Sequence, residues 1–181
     1  LQTVVPPDGS VTSAKLASGA AASNLGTSVN LATIKDSTGT NTAMTIDSTG
    51  RILTPARPAF SATASTSFNI TSGTIPYDTE QFDIGGNYNA STYKFTCPVA
   101  GIYSFSFSYY AVLATTARGS LYKNTSLYAI GNRVESNGNH PSTTSTIVMQ
   151  CSANDEIYIG WQEGSVHINT LYNHFSGYLI G

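Results

Sequence analysis

The first 59 residues contain no phenylalanine, tyrosine or tryptophan, and every aromatic residue of the chain lies at or after Phe60. Aliphatic residues are also sparse over residues 1–57, where small and polar residues predominate. Fixing the backbone costs about 1–2 kcal/mol per residue, which a segment with so little apolar surface cannot offset alone. We therefore expect residues 1–57 to be either disordered or ordered by other chains, and residues 58–181 to form a folded domain.

Charged residues are scarce too, at 10% of the chain with a formal net charge of −2. The sequence has no cluster of Lys and Arg, which argues against a nucleic-acid partner. No apolar run is long enough to cross a bilayer and no signal-peptide pattern is present, so we predict no membrane insertion. Because the chain begins at Leu1 rather than Met, we expect a fragment of a longer protein.

Cysteine is limited to Cys97 and Cys151, too few for a disulfide framework. Each cysteine shares a predicted strand face with apolar neighbours, which is typical of small buried residues. We expect two buried thiols. A bridge between them stays an alternative because the sequence gives no distance between the two sulfur atoms.

Period-two alternation is the main pattern that the sequence does contain. Along residues 101–109, serines alternate with the aromatic residues Tyr103, Phe105, Phe107 and Tyr109. Successive side chains leave opposite faces of a sheet, so this pattern predicts a half-buried strand with its aromatic face in the core. Pro98 and Gly101 supply the backbone angles for a tight turn before it.

The rest of the domain shows many short strands and no sustained helical periodicity, which indicates an all-β sandwich or jelly roll. We predict strands at about 58–63, 67–70, 74–77, 91–97, 101–113, 117–123, 127–134, 144–152, 155–161 and 171–180.

Two patterns stand out in residues 1–57. Residues 7–26 form a run of Ser, Ala and Gly, for which a flexible linker is one interpretation. Residues 42–55 predict a β-hairpin with Gly50 at its turn. An isolated hairpin is marginal in water, whereas three copies around an axis would bury their apolar residues together. The residues concerned are Met44, Ile46, Ile52 and Leu53.

Three motifs resemble the C1q-type globular head, a jelly roll related to the tumour-necrosis-factor (TNF) fold. They are the opening segment 58–62, the run F-T-C-P-V-A-G-I-Y-S-F-S-F at 95–107 and the closing segment 175–181. Residues 8–20, D-G-S-V-T-S-A-K-L-A-S-G-A, resemble a segment common in phage tail-fibre and other virion-fibre proteins. Together the resemblances imply a homotrimer, in which an extended, intertwined, β-rich stem (1–57) precedes a C1q/TNF-like jelly-roll head (58–181).

The family resemblance also places the two chain ends of the head at its stem end. Strand alternation then assigns loops 84–90, 114–116, 135–143 and 162–170 to the distal tip, where loops commonly carry binding residues. Tyr88 lies between two amides on a glycine-rich loop, which suits stacking on a sugar, although an ordinary polar loop is the alternative. The receptor-binding candidates are Asn87, Tyr88, Asn89, Asn139, His140, Glu163 and His167.

A second group of residues is assigned to the core or to a trimer interface. Phe175 and Tyr178 fall on opposite faces of the last strand, so one is expected to face the core and the other a neighbouring subunit. The full group is Tyr103, Phe105, Phe107, Tyr109, Trp161, Phe175 and Tyr178.

No catalytic arrangement is evident, because the sequence contains no nucleophile-elbow, phosphate-loop or His-Glu-x-x-His motif. Asp155 and Glu156 are adjacent, so they face opposite sides of a strand. Glu163, His167 and His140 lack a diagnostic ligand spacing. The sequence therefore predicts no enzyme activity, no metal and no cofactor.

The sequence favours a trimeric viral fibre protein, extracellular and on the virion, whose head attaches to a glycan or protein of the bacterial host surface. Other fibre or virion proteins would bind at its N-terminal side. Two alternatives stay open: a structural or decoration fibre without receptor binding, and a bacterial surface adhesin of the same architecture. A depolymerising enzyme is disfavoured because such enzymes need paired carboxylates in a groove.

Overall fold

The computed structural model describes residues 33–65, 67–139 and 141–181, and the chain divides into two compact units, Leu1–Thr54 and Pro55–Gly181. The run at residues 7–26 lies outside the described residues. All regular structure in the described part is β-strand, which confirms the all-β prediction. The described residues accordingly include no helix that could cross a membrane.

The described part of the first unit is a three-stranded antiparallel sheet of β1 (Thr33–Lys35), β2 (Thr42–Ile46) and β3 (Ile52–Leu53). Both of its turns have the sequence D-S-T-G, beginning at Asp36 and Asp47. In each turn the carboxylate accepts hydrogen bonds from the amide and the hydroxyl of the threonine two residues later, at 2.7–3.1 Å. The two turns therefore share one side-chain-stabilised geometry.

The second unit is a sandwich of two antiparallel sheets. The larger sheet has the order β5-β15-β9-β16-β4-β6, with β13 also paired to β9. Its strands are β4 (Ala59–Thr63), β5 (Phe68–Ile70), β6 (Thr79–Ile84), β9 (Gly101–Ala111), β13 (Ser142–Cys151), β15 (Val166–Ile168) and β16 (His174–Leu179).

The smaller sheet has the order β11-β10-β14-β8-β7, with β12 also paired to β10. Its strands are β7 (Tyr88–Asn89), β8 (Lys94–Thr96), β10 (Thr116–Lys123), β11 (Ser126–Ile130), β12 (Val134–Glu135) and β14 (Glu156–Gly164).

The core between the two sheets is rich in aromatic rings. Phe60 lies at its centre, stacked on Phe95 at 4.7 Å between ring centroids and edge-on to Phe175 at 4.9 Å. The four aromatic residues predicted from the alternation in β9, together with Phe175, are buried as expected. Trp161 is half-buried against the core, with its indole N–H donating to the Gly164 carbonyl at 2.9 Å.

The strand assignment was wrong at several places. Residues 74–77 form no strand and contribute only an isolated bridge between Thr74 and Gly160. Strands β6, β7 and β15 were not predicted. β6 is an edge strand whose largely exposed, acidic sequence shows little apolar alternation, and β7 and β15 are too short to show a period.

Strand register assigns the loops of the second unit to two ends. Pro58 and Gly181 lie at one end, here called the terminal end. The same end holds the turns at 97–101, 124–125 and 152–155. Loops 112–115 and 169–173 and residues 136–139 lie at the opposite, far end. Loop 84–87 lies at the terminal end, because β6 runs antiparallel to β4 and pairs Ile84 with Ala59. Its assignment to the tip was therefore wrong.

Candidate functional site

Two of the binding candidates, Glu163 and His167, lie near the far end but in different sheets. The Glu163 carboxylate sits between Arg133 at 2.8 Å and Arg118 at 3.3 Å. The hydrogen bond from Arg133 holds the pKa of Glu163 below its usual value. The carboxylate is thus already engaged by two guanidinium groups, in an ion-pair network that Arg133 extends to Glu135.

His167 lies on β15 of the larger sheet, with Nε2 at 3.0 Å from the Ser67 hydroxyl and Nδ1 at 2.5 Å from Asn69 Oδ1. Its ring contacts Tyr110 edge-on, with 4.7 Å between centroids. Asn139 lies in the far-end loop, where its carbonyl accepts a hydrogen bond from Ser136. His140 lies outside the described residues. Among the described residues, no group of three metal-ligating side chains occurs.

Tyr88 cannot serve as an exposed sugar-stacking residue, so that assignment was wrong. The residue is 7% exposed, its ring stacks on Phe60 at 4.8 Å, and its hydroxyl donates to the Tyr77 carbonyl at 2.6 Å. Register explains the burial, because Tyr88 pairs with Phe95, which points into the core. Burial also raises the pKa of Tyr88.

Asn87 and Asn89 flank Tyr88 and lie on the solvent side, though at the terminal end rather than at the tip. Together with Gly86, Ala90 and Thr96 they border a shallow groove of about 520 Å³. The Asn89 side-chain oxygen accepts hydrogen bonds from the amides of Ser91 and Thr92 at 2.9 and 3.2 Å. Its position is therefore fixed by the turn that follows β7.

Sequence reasoning missed a pair of stacked tyrosines on the outward face of the smaller sheet. Tyr122 of β10 and Tyr158 of β14 pair in register, with ring centroids 5.2 Å apart and 9° between ring planes. Lys94 places its Nζ 5.2 Å from the Tyr158 centroid and 2.8 Å from the Glu156 carboxylate. The alternation of Tyr158 with the buried Ile157 and Ile159 is the sequence signal that could have identified this face.

Two exposed apolar surfaces form the other unusual feature of the second unit. The first covers the outward face of the larger sheet toward the terminal end and consists of Phe82, Ile84, Ile102, Val148, Tyr178 and Ile180. The second lies on the edge strand β11 and consists of Leu127, Tyr128 and Ile130. Tyr178 is thus exposed on the face opposite the buried Phe175, as the alternation predicted. Contiguous apolar patches on a soluble domain commonly mark interaction surfaces.

The sequence model of the C1q domain matches residues 59–180. The mouse complement C1q tumor necrosis factor-related protein 2 is 29% identical over 104 residues, which is 58% of this chain and 35% of that protein's length. The chain therefore spans about a third of this curated relative.

Solved structures agree with the sequence match at the level of the fold. The globular domain of zebrafish complement 1qA aligns with a TM-score of 0.57 and 19% identity, over 68% of this chain and 98% of that one. The Eiger TNF from S. frugiperda aligns with a TM-score of 0.52 and 12% identity, over 70% of this chain and 94% of that one. Both similarities confirm the predicted jelly-roll fold.

Proposed function

Because the chain belongs to the C1q domain family, we propose that its second unit is the head of a homotrimeric fibre that attaches a virion to the surface of a bacterial host. C1q and TNF domains form homotrimers and bind receptors, and they are not enzymes. Sequence resemblance of residues 8–20 to virion-fibre proteins supplies the virion context. The ligand would be a surface glycan or protein.

The two exposed apolar surfaces of the second unit are the main support for a trimer. The two surfaces lie on different sheets, so a contact of one subunit's β11 edge with the next subunit's larger sheet is heterologous. Heterologous contacts close into rings when the rotation between subunits permits it. A closed trimer would remove both surfaces from water in every subunit.

The first unit supports the same assembly. Register places Ile34, Met44, Ile46 and Ile52 on one face of its sheet, and the three isoleucines are exposed. The three strands have only 3, 5 and 2 residues, and an apolar face that stays in water contributes little to stability. Packing three such faces around an axis would give the stem a core.

Light scattering tests the assembly directly. We expect residues 1–181 to give three times the 19.0 kDa chain mass at micromolar concentration. Ile130→Asp on the β11 edge and Val148→Asp on the larger sheet should each shift the protein toward monomer. Leu171→Asp, which places the same charge on an exposed far-end residue, is the matched control and should stay trimeric. A wild-type protein that remains a 19.0 kDa monomer would refute the proposal.

Adsorption of the labelled trimer to a panel of bacterial strains tests attachment. Binding to some strains and not to others, with competition by the unlabelled trimer, is the expected result. A trimer that adsorbs to no strain would instead favour the structural or decoration fibre. Immunogold labelling separates the third possibility, because label on bacterial cell walls and not on particles would indicate a cellular adhesin.

A further inference from the structure

We propose that the outward face of the smaller sheet is a binding surface for a neutral carbohydrate. This inference rests on the proposed attachment function and gives it a location and a ligand class. The surface, here called the tyrosine groove, consists of the stacked pair Tyr122 and Tyr158, Lys94 and Thr96 of β8, Asn89 of β7 and the preceding Asn87.

Register makes the tyrosine groove continuous. Neighbouring strands in the smaller sheet follow the order β10-β14-β8-β7, and the pairs Tyr122 with Tyr158 and Lys94 with Asn89 lie opposite one another. Phe95 points into the core, so its neighbours Lys94 and Thr96 point outward on the same face. The outward residues of β8 thus connect the two tyrosine rings to the part of the groove that Asn87 and Asn89 line.

The absence of a side chain at Gly160 leaves room for the Tyr122 ring of the tyrosine pair. A Cβ atom added at Gly160, the β14 residue between Tyr158 and Gln162, would lie 2.6 Å from Tyr122 Cε2 and 2.9 Å from its Cδ2. Glycine inside a strand weakens the strand and often marks a close approach. Here it lets the Tyr122 ring lie against the sheet, where its hydroxyl is 3.3 Å from Gln162 Oε1.

The chemistry of the tyrosine groove suits a polyhydroxyl ligand better than a charged one. Aromatic faces offer apolar surface to the C–H face of a sugar ring, and amides and hydroxyls can pair with its hydroxyl groups. Lys94 is already paired with Glu156 at 2.8 Å, so the groove has no uncompensated cation to attract a polyanion.

Saturation-transfer NMR on trimeric residues 1–181 tests this inference, with the methyl glycosides of glucose, galactose, mannose and N-acetylglucosamine as neutral probes and N-acetylneuraminic acid as the charged probe. We expect transfer to at least one neutral glycoside and none to the charged sugar. Tyr158→Ala and Tyr122→Ala should weaken binding about 2- to 13-fold, the loss that corresponds to an aromatic contact of roughly 0.5–1.5 kcal/mol.

Two variants separate ligand contact from disturbed folding. Tyr158→Phe keeps the ring and should retain binding, whereas Gly160→Ala displaces Tyr122 and should weaken binding although residue 160 has no side chain to contact a sugar. Tyr172→Ala removes an exposed far-end aromatic and is the matched control, with affinity expected to be unchanged. Light scattering and the urea midpoint check that each variant remains a folded trimer.

Some outcomes would overturn the inference and leave the attachment function standing. These are unchanged sugar affinity in Tyr158→Ala and Tyr122→Ala, loss of affinity only in Tyr172→Ala, or cell adsorption without transfer to any neutral sugar. A trimer that neither adsorbs to cells nor binds any probe would refute both proposals.

Discussion

Tyr88 illustrates how a single aromatic residue on a glycine-rich loop can belong to the core. Its ring stacks on Phe60 and lies edge-on to Phe175, with 6.1 Å between those centroids. Its hydroxyl reaches through the core to the Tyr77 carbonyl. The residue thus closes the terminal end of the sandwich, and the loop that carries it is anchored from inside.

Truncation of Tyr88 should therefore destabilise the head. We expect Tyr88→Ala to lower the free energy of unfolding by about 3–5 kcal/mol, the usual cost of removing a large buried aromatic side chain. Tyr88→Phe keeps the ring and loses one hydrogen bond, for about 1 kcal/mol. Urea unfolding at fixed protein concentration measures both, with Leu171→Ala, at a residue that is 74% exposed, as the control. A wild-type midpoint in Tyr88→Ala would contradict the burial of this ring.

Residue-level signals in the sequence identified the core better than the site. The alternation of aromatic residues and serines in β9 extends over several periods, so Tyr103, Phe105, Phe107 and Tyr109 could be assigned to the core. Tyr88 lies in a strand of two residues, which is too short for a period to show its face. Tyr122 and Tyr158 are far apart in sequence, and only strand register brings their rings together.

At the scale of elements, Asp155 joins three strand ends at the terminal end. The side chain is 11% exposed. Its carboxylate accepts hydrogen bonds from Lys123 Nζ at 2.7 Å, the Ser152 amide at 2.8 Å and Asn124 Nδ2 at 2.9 Å. Burial favours the neutral acid, but these donors outweigh it and hold the pKa of Asp155 below its ordinary value. The charged carboxylate therefore stabilises the ends of β10, β13 and β14.

This arrangement predicts a pH dependence. A carboxyl group whose pKa is lower in the folded than in the unfolded chain contributes its full stabilisation above the unfolded value of about 4, and loses it as the pH falls through the folded value. We expect wild-type stability to decline below pH about 4 and Asp155→Asn to decline less steeply. Urea unfolding between pH 6 and 3 measures the difference, with Glu80→Gln on the exposed edge strand as the control. Parallel curves for wild type and Asp155→Asn would contradict this role.

Two thiols meet at the same end of the sandwich. Cys97 and Cys151 are buried and unbridged, in agreement with the sequence-based expectation. The hydrogen bond to Cys151 and burial raise the pKa of Cys97. Because both cysteines are buried, a reagent in solution cannot reach either sulfur atom in the native protein.

We expect both thiols to react with a disulfide reagent such as dithionitrobenzoate only after denaturant is added. Thiol counting with and without guanidinium measures this, and a variant with an added surface cysteine, Ser48→Cys, supplies the positive control for an accessible thiol. Fast reaction of the native wild-type protein, or fewer than two thiols after denaturation, would contradict the expectation.

Element boundaries show where sequence reasoning reaches its limit. Strands with a buried face were predicted within a few residues, as for β9 and β10. The edge strand β6 was missed. Through β6 the chain returns from the far end to the terminal end before residue 85. Each strand carries the chain from one end of the sandwich to the other, so a missed strand places the following loop at the opposite end. Loop 84–90 was assigned to the wrong end for this reason.

At the scale of the whole molecule, the two units differ in what they need in order to fold. The second has a continuous aromatic core of its own, whereas the first exposes the apolar face of its sheet. We expect residues 55–181 alone to unfold cooperatively and residues 1–54 alone to be largely unstructured at low concentration. Circular dichroism with thermal melting of both fragments measures this. A cooperative transition in the isolated 1–54 fragment would show that it holds an independent core.

The position of β4 has a mechanical consequence. This strand leads from Pro58 away from the terminal end and lies between β16 and β6, paired with each through five positions. When the sandwich is held by a bound surface and pulled at Pro58, the force acts along β4. The hydrogen bonds of β4 to β16 and to β6 are then loaded together in shear, rather than opened one by one. Resistance to forced unfolding is set by the unfolding rate. If the second unit is the attached head that we propose, it is tethered through a strand whose removal must break two ladders at once, an arrangement suited to an anchor under tension.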